Sequence, residues 1–162
     1  MADLRQLFTG LGLQDAKTYI QSGNVVFSSD REQQALAPLI KEAFERRFGF
    51  YSAVVVRSGA EMASIVGSLP FKAAEVEEAR RAAPDVEHLY VYLSESALDS
   101  EEVDQLCAPY SGHDRYQVTD KEVYVLCFQG IRASRLPSQL LKMPQPLTFR
   151  NLNTMRKVSS ML

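Results

Sequence analysis

Apolar residues recur at helical spacing at the start of the chain, at Leu4, Leu7, Phe8 and Leu11, with Gly10 and Gly12 placed to close the turn. This pattern predicts a helix over residues 2–11. Two β-rich runs then flank Ser22-Gly23-Asn24 and predict a hairpin of residues 17–21 and 24–28. A second helical stripe follows, with Leu36, Leu39, Ile40, Ala43 and Phe44 on one face, Asp30 as its cap and Gly49 as its stop. Pro38 conflicts with that stripe, because an interior proline costs about 3 kcal/mol. The regular helix is therefore expected from near Ala37, after a looser turn. The valine-rich run 51–57 predicts a strand, and Gly59–Gly67 a short helix bearing Met62, Ile65 and Val66.

A break at Leu69-Pro70 precedes an alanine-rich, charged stretch at 71–84 that reads as a partly helical connector. Beyond it come a strand at 87–93, a helix at 99–107 and a hairpin of 116–119 with 122–128 turning at Asp120-Lys121. A helix at 136–142, an extended piece at 147–150 and a last helix from Leu152, capped by Asn151, complete the chain. The second half thus reads β-α-β-β-α-β with a terminal helix, the split βαβ pattern of ferredoxin-like folds. The first half reads α-β-β-α-β, the same pattern without its opening strand. The expected fold class is α+β: an incomplete ferredoxin-like half at 1–70, a connector at 71–86, and a complete half at 87–162.

Five segments carry a further signal: TYIQSGNVVFSS at 18–29, RFGF at 47–50, VVVRS at 54–58, EVYVLCF at 122–128 and TFRNLNTMRK at 148–157. In this order the chain resembles, from Met1 to Leu162, a bacterial family known as domain of unknown function 1697. The resemblance implies a duplication of ferredoxin-like units. It implies no activity, since the family has no established reaction, ligand or partner. Family members open with a strand and a glycine-rich loop, typically RGINVGG, ahead of the segment that begins here at Met1. Three readings of that difference stand side by side: a start downstream of the native one, a strand supplied by a partner or second copy, or a sheet rearranged around the loss.

Composition narrows the classes. A chain of 162 residues with 46% hydrophobic content can bury a core. No run approaches the about 18 apolar residues of a membrane span, and the first ten residues lack the pattern of a secretory signal. A cytoplasmic location without membrane association is the expectation. Cys107 and Cys127 read as buried thiols in preference to a redox pair. The formal charge of −2 hides an asymmetry: residues 130–162 carry six basic side chains and no acidic one, whereas 73–104 carry ten acids against two arginines. Such a distribution bears on partners, not on fold.

Two constellations could hold an anion. Ser22 and Asn24 flank Gly23, where backbone N–H groups can face a phosphate or oxyanion, although a turn needing positive φ accounts for the same residues. Arg150, Asn151, Asn153, Thr154 and Lys157 cluster at the opening of the last helix, where free N–H groups, a guanidinium and amides can act together. The bland reading there is a cap, an ion pair and strand anchoring. The family usually has tryptophan at the position of Leu152, which weakens any stacking role there. Arg132, Ser134 and Arg135 could extend the basic surface, and Arg57 is a further polar candidate.

Metal and cofactor chemistry have no matching pattern. His88 and His113 are solitary, no Cys/His/Asp spacing resembles a metal site, and no phosphate-loop or dinucleotide motif occurs. Tyr90, Tyr92, Tyr116 and Tyr124 fall on strands, with Tyr90 and Tyr92 on one face. Exposed, they could stack single-stranded bases. The leading expectation is a binding module for an anionic ligand, a small molecule or nucleic acid, at Ser22, Asn24, Arg150, Asn151, Asn153 and Lys157. Its alternatives are an enzyme acting on a small anionic substrate between the halves and an interaction module, including a homo-oligomer, built on an open sheet edge.

Overall fold

The computed structural model describes residues 1–162. The fold is α+β, with seven helices and six strands arranged in two antiparallel sheets. The chain divides into two compact units, Met1–Val66 with Thr154–Leu162, and Gly67–Asn153.

In the first unit, α1 (Ala2–Gly10) leads into a hairpin of β1 (Gln14–Tyr19) and β2 (Asn24–Ser28), then α2 (Gln33–Phe48) and α3 (Gly59–Gly67). Tyr19 pairs with Asn24, and the register shifts between Gln14 and Lys17, so β1 begins earlier than the sequence pattern indicates. Phe8, Leu13, Leu36 and Ile40 form the core here, with Val25, Phe27, Val54 and Val56 packed against it. Helix α2 begins before Pro38 instead of after it. Burial of Leu36 and Ala37 on the near side of the proline, and of Ile40 beyond it, draws the first turn into the helix. Its cap position is Glu32, not Asp30, and it ends at Gly49, whose left-handed φ of 75° suits glycine.

The run 51–57 is not a strand, and the first unit's sheet has only two strands. The first half therefore departs from its expected α-β-β-α-β pattern. β-propensity makes a run extended, but a strand requires a neighbour that supplies ladder bonds, and none does so here.

The second unit begins with α4 (Ala73–Ala82), whose Ala79 is fully buried. Strand β3 (Leu89–Ser94), α5 (Ser100–Cys107), β4 (Arg115–Val118), β5 (Glu122–Leu126), α6 (Leu136–Leu140) and β6 (Leu147–Asn151) follow. The sheet order is β4-β5-β3-β6, antiparallel throughout. Asp99 caps α5 by accepting the Glu101 N–H at 2.9 Å. Tyr90, Tyr92, Val123, Val125 and Cys127 share a core with Val103, Cys107, Leu136 and Leu140. Val91, Leu93, Tyr124 and Leu126 on the alternate positions are buried as well, so the two central strands are covered on both faces. Helix α7 (Leu152–Ser159) closes the chain, and the division between units falls within it. No helix is long and apolar enough to cross a membrane.

Candidate functional site

The hairpin constellation is occupied with its own turn. Asn24 Nδ2 donates to the Tyr19 carbonyl at 3.2 Å and to Ser22 Oγ at 2.9 Å, while Gly23 takes a φ of 76°. These bonds tie the loop to the strand that enters it. Ile20 is the unusual residue: a β-branched side chain at φ 50°, 48% exposed. That conformation is strained for isoleucine by about 1–2 kcal/mol.

The second constellation is built by β6 and the start of α7. Arg150 lies opposite Val91, and Asn151 opposite Tyr90, in the β3–β6 register. The Arg150 Nη1 donates to Thr148 Oγ1 at 2.9 Å and to the Phe149 carbonyl at 2.6 Å. Burial pushes this guanidinium below its ordinary pKa. Asn153 Nδ2 donates to Glu87 Oε1 at 2.7 Å, Thr154 is buried, and Lys157 is exposed. Ser22, Asn24 and Lys157 belong to the first unit, and Arg150, Asn151 and Asn153 to the second.

The tyrosine platform does not exist. Tyr90, Tyr92 and Tyr124 are buried, with Phe149 stacked on Tyr92 at a centroid distance of 5.0 Å. The Tyr116 hydroxyl donates to Asp104 at 2.8 Å. With the two central strands covered on both faces, Tyr90, Tyr92 and Tyr124 are not open to stack bases. His88 is a core residue: its two ring nitrogens face the carbonyls of Cys127 and Ala83 at 2.7 and 3.0 Å. Cys107 and Cys127 are free, buried thiols. Burial, then the nearby Asp104, raises the Cys107 pKa to about 11; burial, then Asp114, raises that of Cys127 to about 12. Both are far from nucleophilic at neutral pH.

A different surface emerges in the first unit. None of residues 51–55 makes a backbone hydrogen bond, and the Val56 carbonyl accepts only from the side chains of Gln33 and Arg57. Alternation still seats Val54 and Val56 on the core. The far end of the run is held by a capping box, in which Glu61 Oε2 accepts the Ser58 N–H at 2.6 Å and Gln33 Nε2 at 2.8 Å. Burial alone would raise the Glu61 pKa, but these bonds, the Ser58 hydroxyl and the charge of Arg57 outweigh it and lower the value.

At the near end stands an aromatic cluster. Phe44 lies 4.6 Å from Phe48 and 5.2 Å from Phe50, centroid to centroid. Phe50 is 59% exposed and Tyr51 53%. Lys41 Nζ sits 4.9 Å over the Tyr51 ring, and the Arg47 guanidinium 5.9 Å over that of Phe48. Sequence reasoning saw RFGF as a family signature and missed this cluster. The available signal was three phenylalanines within seven residues around a helix-ending glycine, interleaved with basic residues.

Comparison with known proteins places these observations. Residues 1–124, more than half of the chain, match the profile of the family described as "Protein of unknown function (DUF1697)". Among solved structures the chain is similar to the conserved bacterial protein SP0830 from Streptococcus pneumoniae, with a TM-score of 0.72 and 23% identity over 100% of this chain and 88% of that one. At this identity the likeness is one of fold. No curated protein matches the chain.

Proposed function

The chain belongs to the DUF1697 family of proteins of unknown function, and on that premise we propose that it is an interaction module that takes up an extended strand of another polypeptide along residues 51–56. One observation carries the reading. Val54 and Val56 lie against the core, yet residues 51–55 leave their backbone donors and acceptors without a bond. The chemistry that matches alternating N–H and C=O groups along an apolar strip is the backbone of an extended peptide. The same proposal reads both units as split βαβ arrangements. The order β4-β5-β3-β6 supports it for the second, and the shared packing of Val25, Phe27, Val54 and Val56 against α1 and α2 supports it for the first.

The test uses a labelled peptide of alternating valine and threonine, followed by fluorescence anisotropy and amide exchange. Successive N–H groups of an extended run point to opposite edges. One of the variants Ser52→Pro and Ala53→Pro therefore removes a donor from the accepting edge, while neither breaks an existing backbone bond. Binding should slow exchange at 51–56 and be lost in one of the two variants. Binding that survives both, or leaves exchange at 51–56 unchanged, overturns the reading.

An anion site at Arg150, Asn151 and Asn153 is the second reading, with Lys157 and the hairpin residues Ser22 and Asn24 as candidates in their own right. The run of six basic residues without an acid from 130 to 162 favours it. Arg150, Asn153 and Asn24 are engaged in internal hydrogen bonds, which places it behind the first. Inorganic phosphate titrated into the labelled protein should shift the amide resonances of 150–157, and unmoved resonances at millimolar phosphate remove this site.

A further inference from the structure

The unpaired run does not end in plain solvent. Its first residue, Tyr51, lies under Lys41 Nζ and directly follows Phe50, which α2 and the Gly49 turn bring together with Phe44 and Phe48. Adjoining exposed rings are a recurrent mark of an interaction surface, and Phe50 and Tyr51 lead directly into the backbone groups already argued to accept a strand. Resting on that reading, we infer that the partner strand carries a large apolar side chain that docks against Phe50, with an acidic residue beside it that meets Lys41 over the neighbouring Tyr51 ring.

Three features define this partner. The rings supply an anchor surface: Phe50 meets Phe44 edge to face and keeps more than half of its own area open. Aromatic and large apolar side chains dominate the energetics of such contacts. Lys41 supplies the charge. Its ammonium lies over the Tyr51 ring, whereas Arg46 pairs with Glu42 at 2.7 Å and Arg47 with Asp3 at 3.4 Å. A carboxylate on the partner meets a cation already positioned by the ring. Continuity supplies the register, because the anchor surface and the open backbone are consecutive in the chain. An apolar plug without a strand would leave the backbone of 51–55 unmatched, and a strand without an anchor would leave Phe50 uncovered.

The probe is the valine–threonine peptide with a glutamate–phenylalanine pair at each end, so that either strand direction presents the pair to the cluster. It is compared with peptides in which each phenylalanine becomes alanine, or each glutamate becomes glutamine. Phe50→Ala changes an exposed position and Lys41→Gln a half-buried one, and neither residue belongs to the core. Phe50→Ala should weaken the full peptide about tenfold and have little effect on the alanine peptide. Lys41→Gln should act in the same selective way toward the glutamate. If Phe50→Ala binds all peptides as the wild type does, while Ser52→Pro or Ala53→Pro still abolishes binding, the anchor is overturned and strand uptake stands. If both proline variants bind normally but Phe50→Ala does not, the aromatic surface acts alone and strand uptake fails. Absence of binding by every peptide overturns both.

Discussion

Tyr92 shows what a single buried atom does to this protein. Its side chain is fully buried, and its hydroxyl has no hydrogen-bond partner. The neighbouring phenols are served: Tyr116 donates to Asp104, and the Tyr110 hydroxyl accepts the Asp114 N–H. An unsatisfied buried hydroxyl costs about 1–3 kcal/mol, whereas the ring itself contributes through its stack on Phe149. Tyr92→Phe keeps the ring and removes the hydroxyl, so it should raise stability at pH 7 by about 1 kcal/mol, read as a higher urea midpoint at unchanged slope. Burial, then the neighbouring Cys127 and Tyr90, also raises the phenol pKa well above its ordinary 10.0. A raised acid binds its proton more tightly in the native state. Its contribution is therefore complete below the unfolded value and is lost as pH rises beyond 10. The variant should lose less stability between pH 9 and 11 than the wild type, and an unchanged alkaline slope would exclude Tyr92 as a source of that loss.

At the scale of elements, legibility followed how local each signal is. Helix α3 and the turn between β4 and β5 were readable because their determinants, a hydrophobic triplet between glycines and the pair Asp120-Lys121, lie within a few residues. The start of α2 was not. Propensity alone delays the helix beyond Pro38, whereas packing of Leu36 and Ala37 draws it forward, and packing is a property of the assembled core. The run 51–57 fails in the opposite sense. Its valines announce a strand, but a ladder needs a second backbone that no window of the sequence contains. Site residues divide the same way. Asn24 was visible as a turn residue, and its bonds to Tyr19 and Ser22 bear that part out. The tyrosines were placed correctly on strands, and Tyr90 and Tyr92 on one face, but period-2 alternation cannot reveal that both faces are covered.

For the molecule as a whole, the formal charge of −2 is the sum of two unlike parts. The first unit carries nine basic and seven acidic side chains, a formal +2, and the second nine basic and thirteen acidic, a formal −4. The proposed strand-accepting run lies in the positive unit, so an acidic partner gains from the field around its landing site as well as from contact with Lys41. The two contributions separate kinetically. A field acts on encounter and is screened over about 10 Å at 0.1 M salt, whereas a contact acts mainly on dissociation. Stopped-flow association of the glutamate-bearing peptide should slow roughly threefold between 20 and 200 mM salt, with its dissociation rate changing far less. The glutamine peptide should associate at a nearly constant rate, because it carries no charge for the field to act on. A flat profile for the acidic peptide would confine any charge effect to the contact itself. An association rate that rises with salt would mean that the negative second unit dominates the approach, and the partner strand would then have to be neutral or basic.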